Sequence, residues 1–339
     1  MNSNRQWLLA KRPHGMVSRD NFEYAETAIP EPAEGEVLVR NLYLSFDPTQ
    51  RGWMEDRESY LPPVGIGEPM RAGSIGQVVE SKHADFAAGD LVQTTGGWQD
   101  FVVVAPGMGP MGLNKVPDGV PPEMMLSVLG VTGLTAYFGL LDLGKPEPGQ
   151  TVLVSGAAGA TGSVAGQIAR IKGCRVVGIA GGPEKCAWLK DEAGFDDVID
   201  YKNEDVRSRI GATCPNKVDI FFDNVGGDIL EAALDHINMH ARVVLCGGIS
   251  GYNATEAIPG PTNLMNLVIN RARMEGFIVI DYMPRAMEAI TDLMSWIQND
   301  GLIYQVDMQE GFDNIPDTLN RLFTGQNLGK QLLKIADPS

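Results

Sequence analysis

Cysteine and histidine are scarce in this chain of 339 residues, with four of each. The cysteines (Cys174, Cys186, Cys214 and Cys246) all fall in the second half, and none form a C-x-x-C pair. A disulfide scaffold and a structural zinc lobe are therefore not predicted, because both depend on suitably spaced cysteines. Cys186 follows Lys185 at the start of a predicted helix and could be reactive, but a buried or incidental thiol is the favoured interpretation.

The chain also has few basic residues and lacks long apolar runs. Lysine and arginine total 27 against 43 acidic residues, for a net charge of −16, and no basic block occurs. Nucleic acid and anionic membrane surfaces are therefore not expected as partners. No stretch approaches the roughly 20 apolar residues that span a bilayer, and residues 1–10 lack the apolar core of a secretory signal. We predict a cytoplasmic globular protein.

Within this composition, one stretch organises the chain: residues 151–162, with the sequence TVLVSGAAGATG. A β-branched run ends at a small-residue turn, a helical pattern follows over residues 162–172, and a second apolar run covers 175–180. The order strand, glycine turn, helix, strand is typical of a phosphate-binding βαβ unit. Ala158 stands where a second glycine might be expected, and a tight turn in a non-binding α/β domain is the alternative interpretation.

The spacing of apolar runs differs along the chain. Residues 1–127 have short apolar runs separated by turn residues, which predicts a mostly β, barrel-like module. Residues 128–302 enter an alternation of strand and helix patterns, which predicts a doubly wound parallel sheet of the α/β class. Residues 303–339 lose this rhythm and are predicted to return to the first domain.

The residues at the end of the second strand of this βαβ unit indicate which cofactor binds. An NAD-preferring unit has an acidic residue there to hold the ribose 2′-hydroxyl, whereas this chain has Ala180 and Gly181, followed by Lys185. Lys185 is placed to attract a 2′-phosphate, so NADP(H) is the predicted cofactor. The alternative for Lys185 is a solvated helix residue, and Glu184 beside it is a complication that capping or solvent exposure would explain.

Several motifs together carry a family resemblance: Ser45–Pro48 with Arg51, Gly133–Leu141, Ala157–Gly162, Gly173–Gly178, Phe222–Gly227, Cys246–Asn253, Met274–Phe277 and Asn327–Lys330. The chain resembles the zinc-independent medium-chain dehydrogenases/reductases, in the group of prostaglandin reductases, alkenal double-bond reductases and curcumin reductases. The resemblance implies a GroES-like catalytic domain and a Rossmann domain, usually paired in a homodimer. The family often has a tyrosine directly after the Asp47-Pro48 pair, where this chain has Thr49-Gln50, and this departure leaves the substrate open.

The resemblance also implies a set of cofactor contacts. Those at the pyrophosphate would be Gly159, Ala160, Thr161 and Gly162, and those at the 2′-phosphate would be Lys185 and Tyr201. Those at the ribose and nicotinamide would be Asn224, Cys246, Gly247, Gly248, Ile249, Ser250, Gly251, Tyr252, Phe277, Ile278, Val279 and Asn327.

A catalytic zinc needs three convergent ligands, and the first domain has only His14 and His83 and no cysteine. Where zinc-using relatives carry a Gly-His-Glu motif, this chain has residues 71–76, RAGSIG. His236 and His240 are four apart, with no glutamate between them, and we interpret them as ordinary helix histidines. A metal-free enzyme is predicted.

Reduction of an activated C=C bond suits a metal-free site, because one hydroxyl donor near the developing enolate oxygen suffices. Tyr252 is the predicted catalytic donor, with a purely structural cofactor contact as its alternative. Trp53, Met54 and Tyr60 are predicted walls of the substrate pocket, with core packing as the alternative for each. The predicted function is NADPH-dependent 2-alkenal/2-alkenone reduction. The alternatives are an NADPH:quinone reductase and a nonenzymatic NADPH-binding protein, as in lens crystallins of this fold.

Overall fold

The computed structural model describes residues 3–107 and 112–338. The chain divides into two compact units, one formed by Met1–Leu126 with Val306–Ser339 and the other by Ser127–Gln305. The domain boundaries predicted from the sequence, after residues 127 and 302, stay a prediction.

The strands of the described residues are β1 Asn4–Leu9, β2 Phe22–Thr27, β3 Val37–Ser45, β4 Ser74–Ser81, β5 Leu91–Thr94, β6 Phe101–Val104, β7 Asn114–Lys115, β8 Thr151–Ser155, β9 Arg175–Ala180, β10 Asp197–Asp200, β11 Val218–Asp223, β12 Ile237–Leu245, β13 Arg273–Gly276, β14 Val306–Glu310 and β15 Lys330–Lys334. The α-helices are α1 Thr49–Trp53, α2 Pro122–Leu126, α3 Val131–Phe138, α4 Ala160–Ile171, α5 Pro183–Asp191, α6 Val206–Thr213, α7 Gly227–Leu234, α8 Met265–Ile269, α9 Ala286–Asn299 and α10 Ile315–Thr324. Short 3-10 helices cover Arg19–Asn21, Ile249–Gly251, Val279–Arg285 and Phe312–Asn314, and a π-helical turn covers Gly139–Gly144.

The first unit is built on a mixed sheet in the order β14-β15-β3-β4-β5-β7, with β6 also pairing with β3. Its largest buried side chains surround Trp98, whose ring centroid lies 4.8 Å from that of Phe22 and 5.9 Å from that of Phe46. The end of the chain belongs to this sheet because β15 pairs antiparallel with β3, and the buried Lys330 ammonium pairs with the Asp47 carboxylate. This is the predicted mostly β, GroES-like domain.

The second unit is a parallel sheet in the order β10-β9-β8-β11-β12-β13. Leu153, Val177 and Phe221, one on each of three neighbouring strands, have no exposed surface, as expected for strands covered by helices on both faces. The order places β8 beside β11 at the centre, where the direction of winding reverses. The predicted Rossmann fold is confirmed.

Three local predictions were wrong. His236 and His240 do not share a helix: α7 ends at Leu234, and His240 lies in β12 with a φ of 62°. The apolar pattern of residues 275–280 predicts one strand, but β13 ends at Gly276 and a 3-10 helix begins at Val279. The pattern of residues 123–131 predicts one helix, but α2 ends at Leu126 and α3 begins at Val131. Between the two helices the chain makes a tight turn, in which the Ser127 carbonyl accepts the N–H groups of Gly130 at 3.1 Å and Gly133 at 3.3 Å.

Candidate functional site

The glycine turn joins the end of β8 to the start of α4. Gly156 has a φ of 57°, in the left-handed region, and Gly159 is the N-cap of α4. A Cβ on Gly162 would lie 2.4 Å from the Gly156 carbonyl oxygen and 2.9 Å from the Ala157 Cα. The first turn of α4 therefore packs directly on the backbone of the loop. Its N–H groups lack carbonyl partners within the helix and, with the helix dipole, suit an anion.

A second part of the site follows β9 and β10. The Tyr201 ring lies against Gly181, where a Cβ would come within 2.8 Å of its hydroxyl oxygen. Lys185 is half-buried in the first turn of α5, which begins two residues after Gly181. The structure thus brings Tyr201 to the glycine pair that leads into the helix of Lys185.

Asp200 is an acidic residue at this place that the sequence interpretation did not consider. Its carboxylate accepts hydrogen bonds from the N–H groups of Gly182 (2.8 Å) and Lys202 (3.1 Å) and from Asn203 Nδ2 (2.7 Å). Burial opposes ionisation, but these donors outweigh it and hold the pKa of Asp200 below its usual range. These hydrogen bonds stabilise the ionised form of Asp200.

Ser155 and Asp223 connect the ends of β8 and β11. The Asp223 carboxylate has no exposed surface and accepts hydrogen bonds from Ser155 Oγ (2.7 Å) and from the N–H groups of Val225 (3.0 Å) and Gly226 (3.0 Å). Burial raises the pKa of Asp223, and these donors act in the opposite direction. Ser155 Oγ in turn accepts the Asn224 N–H at 2.8 Å, and the Ser155 carbonyl accepts Asn224 Nδ2 at 2.7 Å.

The loop after β12 is tied to the same point. The Asp223 carbonyl accepts the N–H groups of Cys246 (2.9 Å) and Gly247 (3.1 Å). The half-buried Tyr252 turns its hydroxyl toward this loop, where it accepts the Gly248 N–H at 3.3 Å. The structure therefore gathers the predicted residues of the loops after β8, β11 and β12 at one edge of the sheet.

An open depression of about 510 Å³ lies at this edge, lined by Leu245, Cys246, Gly247, Gly276, Phe277, Ile278 and Asp281. The Phe277 ring packs into the unit, because a Cβ on Gly139 would come within 2.4 Å of its Cζ. Burial, followed by the charge of Asp223, raises the pKa of the Cys246 thiol to about 12. This thiol is therefore protonated at neutral pH, which does not suit a nucleophile.

The predicted substrate residues belong to the first unit and differ in exposure. Met54 is completely buried in its hydrophobic core, Trp53 is 8% exposed, and Tyr60 is 45% exposed. The Tyr60 hydroxyl hydrogen-bonds the Thr49 hydroxyl, whereas Gln50 is buried and donates from Nε2 to the Ser45 carbonyl at 3.0 Å.

Asn327 also belongs to this unit, where its Nδ2 donates to the Gly329 carbonyl at 3.0 Å. Across residues 3–107 and 112–338, no three His, Cys, Asp or Glu side chains are grouped so as to hold a metal ion.

Comparisons with known proteins cover nearly the whole chain. A family described as the N-terminal domain of oxidoreductase matches residues 5–116, and one described as zinc-binding dehydrogenase matches residues 160–298. The NADPH-dependent curcumin reductase of Escherichia coli is 42% identical over 98% of this chain and 97% of its own length. The NADP(+)-dependent 2-alkenal reductase of Nicotiana tabacum is 36% identical over 98% of each chain.

The fold is likewise that of a solved relative. The crystal structure of CurA from Vibrio vulnificus in complex with NADPH superposes with a TM-score of 0.93, at 42% identity over 98% of this chain and 100% of that chain. Its likeness extends over both units and therefore includes the glycine turn and the mostly β domain. The chain belongs to the zinc-independent medium-chain dehydrogenases/reductases, in the group of the curcumin, prostaglandin and 2-alkenal reductases.

Proposed function

We propose that this protein is an NADPH-dependent reductase of the C=C bond in α,β-unsaturated ketones and aldehydes. The observation that carries the proposal is the glycine turn packed on α4, in a chain similar end to end to an NADPH-dependent curcumin reductase. Curcumin and 2-alkenals share a C=C bond conjugated to a carbonyl group, and relatives named for both reactions match this chain.

The cofactor assignment follows the geometry of the second unit. The first turn of α4, Gly159–Gly162, is assigned to the pyrophosphate because its N–H groups suit an anion. Lys185 and Tyr201 are assigned to the 2′-phosphate. Asn224, the run Cys246–Tyr252 and Phe277–Val279 are assigned to the ribose and nicotinamide, and the role of Asn327 at the same half of the cofactor stays a prediction from the sequence.

When bound, NADPH supplies the hydride for the β-carbon of the substrate. Tyr252 is assigned the role of hydrogen-bond donor to the substrate's carbonyl oxygen, directly or through the ribose 2′-hydroxyl, as negative charge develops there. Its hydroxyl is held at the glycine loop by the Gly248 N–H, so the loop and the donor are positioned together. Protonation of the α-carbon completes the reduction.

Among the predicted substrate residues, Tyr60 is the best supported because its ring is the most exposed and its hydroxyl is oriented by Thr49. Trp53 is retained as a wall beneath the Arg71 guanidinium, which lies 5.3 Å from its ring centroid. Met54 is left out, since it packs inside the hydrophobic core.

The proposal includes a homodimer, supported by an exposed apolar face. Met265, Val268 and Ile269 of α8 are each more than half exposed. Strand β13, in the same unit, pairs only with β12 within the described residues. An unpaired strand edge and a neighbouring apolar face suit a second copy of the chain. Light scattering after size-exclusion chromatography should give twice the monomer mass; a monomer at micromolar concentration would contradict this part of the proposal.

The reaction is tested by NADPH consumption with EDTA-treated protein, a panel of enones, enals and quinones, and product identification. Conversion of an enone to the saturated ketone supports the proposal. Turnover of quinones alone would assign the protein as a quinone reductase. Tight NADPH binding without turnover of any acceptor would indicate a nonenzymatic NADPH-binding protein. None of the described helices is both long and apolar enough to cross a membrane, and the cytoplasmic location remains a prediction.

A further inference from the structure

The Ser155–Asp223 pair does more than join two strands. Asp223 accepts four hydrogen bonds through its carboxylate, counting both contacts of the Gly226 N–H at 3.0 and 3.1 Å. Its backbone carbonyl accepts the two N–H groups that open the loop after β12. One buried residue therefore fixes the loop of Asn224–Gly227 through its side chain and the loop of Cys246–Tyr252 through its main chain.

The two loops are also tied directly to each other. The Val225 carbonyl accepts the Ser250 N–H at 3.1 Å and Ser250 Oγ at 2.6 Å, and the Asn224 carbonyl accepts the Ile249 N–H at 3.3 Å. Gly226 and Gly227 have φ values of 73° and 54°. Such a left-handed pair needs external hydrogen bonds to stay in place, since glycine restricts the backbone least. Without the carboxylate we expect the whole loop pair to loosen.

We infer that Asp223, with Ser155, is a positioning residue that preorganises the two loops assigned to the nicotinamide half of the cofactor. This inference rests on the proposed function for the identity of the ligand. Asp223 is not in the set predicted from the sequence to bind the cofactor, and it acts through Asn224, Gly226 and the loop after β12. A carboxylate suits the position because it only accepts hydrogen bonds, and every group that faces it is a donor.

The same strand offers a matched control. Asp219 lies at the opposite end of β11, where its carboxylate accepts the Thr151 N–H at 2.8 Å and Asn238 Nδ2 at 2.9 Å. It therefore also links β8 and β12 through β11, but at the edge of the sheet away from the glycine turn. Removal of either carboxylate should lower the melting temperature, and only removal of Asp223 should change cofactor binding.

The experiment measures the Kd of NADPH and of 2′,5′-ADP, which carries the 2′-phosphate but no nicotinamide, for the full chain and its variants. We expect Asp223→Ala to weaken NADPH about tenfold, because binding must then order loose loops. Asp223→Asn should have a smaller effect of about threefold, since the amide keeps one acceptor oxygen. Ser155→Ala should fall between them. The Kd of 2′,5′-ADP should stay within about twofold throughout, as should that of NADPH for Asp219→Ala.

Three results would overturn the inference. They are unchanged NADPH affinity in folded Asp223→Asn and Ser155→Ala, equal weakening of NADPH and 2′,5′-ADP, and equal weakening by Asp219→Ala. A wild-type chain that binds no NADPH would overturn the proposed function and this inference with it. A wild-type chain that binds NADPH but reduces no enone would overturn the proposed reaction alone.

Discussion

The close packing of α4 on the glycine turn makes Gly162→Ala a demanding test of the candidate site. Gly162 is helical and does not have a positive φ. By helix propensity alone, alanine there would stabilise the protein by about 1 kcal/mol. The structure predicts the opposite sign. The new Cβ would lie 2.4 Å from the Gly156 carbonyl oxygen, whereas ordinary contact begins at 3.4 Å, so the helix or the loop must move by about 1.0 Å.

The size of the effect follows from these opposing terms. Overpacking against backbone costs about 1–3 kcal/mol, which cancels or exceeds the propensity gain of about 1 kcal/mol and leaves a net loss of up to roughly 2 kcal/mol. At about 2–4 °C per kcal/mol for a unit of this size, the fall in Tm is up to roughly 8 °C. The same movement misaligns the N–H groups of the first turn, so we expect the Kd of NADPH to rise at least about tenfold.

Gly211→Ala is the matched control, because Gly211 lies in α6 and its Cβ would meet only the edge of the His236 ring, at 3.0 Å. That side chain can move, so the propensity gain of about 1 kcal/mol should remain and the Tm should rise by roughly 2–4 °C, while NADPH binding should not change. Thermal unfolding and fluorescence titration with NADPH measure both quantities. If Gly162→Ala were as stable as Gly211→Ala and bound NADPH like the wild type, the assignment of the turn would be wrong.

Three further outcomes are expected. Lys185→Ala should raise the KM of NADPH about tenfold and leave the KM of NADH within about twofold, because only NADPH has a 2′-phosphate that the lysine can contact. Steady-state kinetics with both cofactors measures this, and parallel changes in the two KM values would contradict it. Tyr252→Phe should lower kcat at least about tenfold, with the Kd of NADPH within about twofold, if the hydroxyl stabilises the enolate; a changed Kd with unchanged kcat would reduce Tyr252 to a cofactor contact. The Cys246 thiol, with a pKa of about 12, stays protonated far above neutral pH. Iodoacetamide at pH 8 should therefore leave activity intact, and mass spectrometry should find no adduct on Cys246. Rapid loss of activity with an adduct on Cys246 would refute this.

The sequence was enough to predict the sheet architecture and the turn at its centre. Alternating strand and helix patterns after residue 150 are local signals. The small residues between β8 and α4 have the spacing that is typical of a phosphate-binding turn. The prediction of a barrel-like first domain depended in the same way on short apolar runs between turn residues.

Such local patterns do not predict contacts between residues that lie far apart in the sequence. Ser155 and Asp223 are 68 positions apart, and nothing in either local sequence shows that one hydroxyl meets one carboxylate. The spacing of His236 and His240 fits a helix, but α7 ends before both residues. In the sequence, Trp53, Met54 and Tyr60 are equally good candidates for the pocket wall. Only their packing in the structure distinguishes the buried Met54 from the exposed Tyr60.

The pairing of β15 with β3 has a consequence for biosynthesis. The ribosome delivers β3 early, but β15, which pairs with it, and Lys330, which neutralises Asp47, are made only after residues 127–305. The sheet of the first unit is therefore completed only when β15 has been made. The parallel sheet of residues 127–305 is complete earlier and can fold while the chain is still being made. During that interval the Tyr43–Ser45 part of β3 lacks the strand that pairs with it, so nascent chains stalled before residue 330 should be the species that need protection by chaperones.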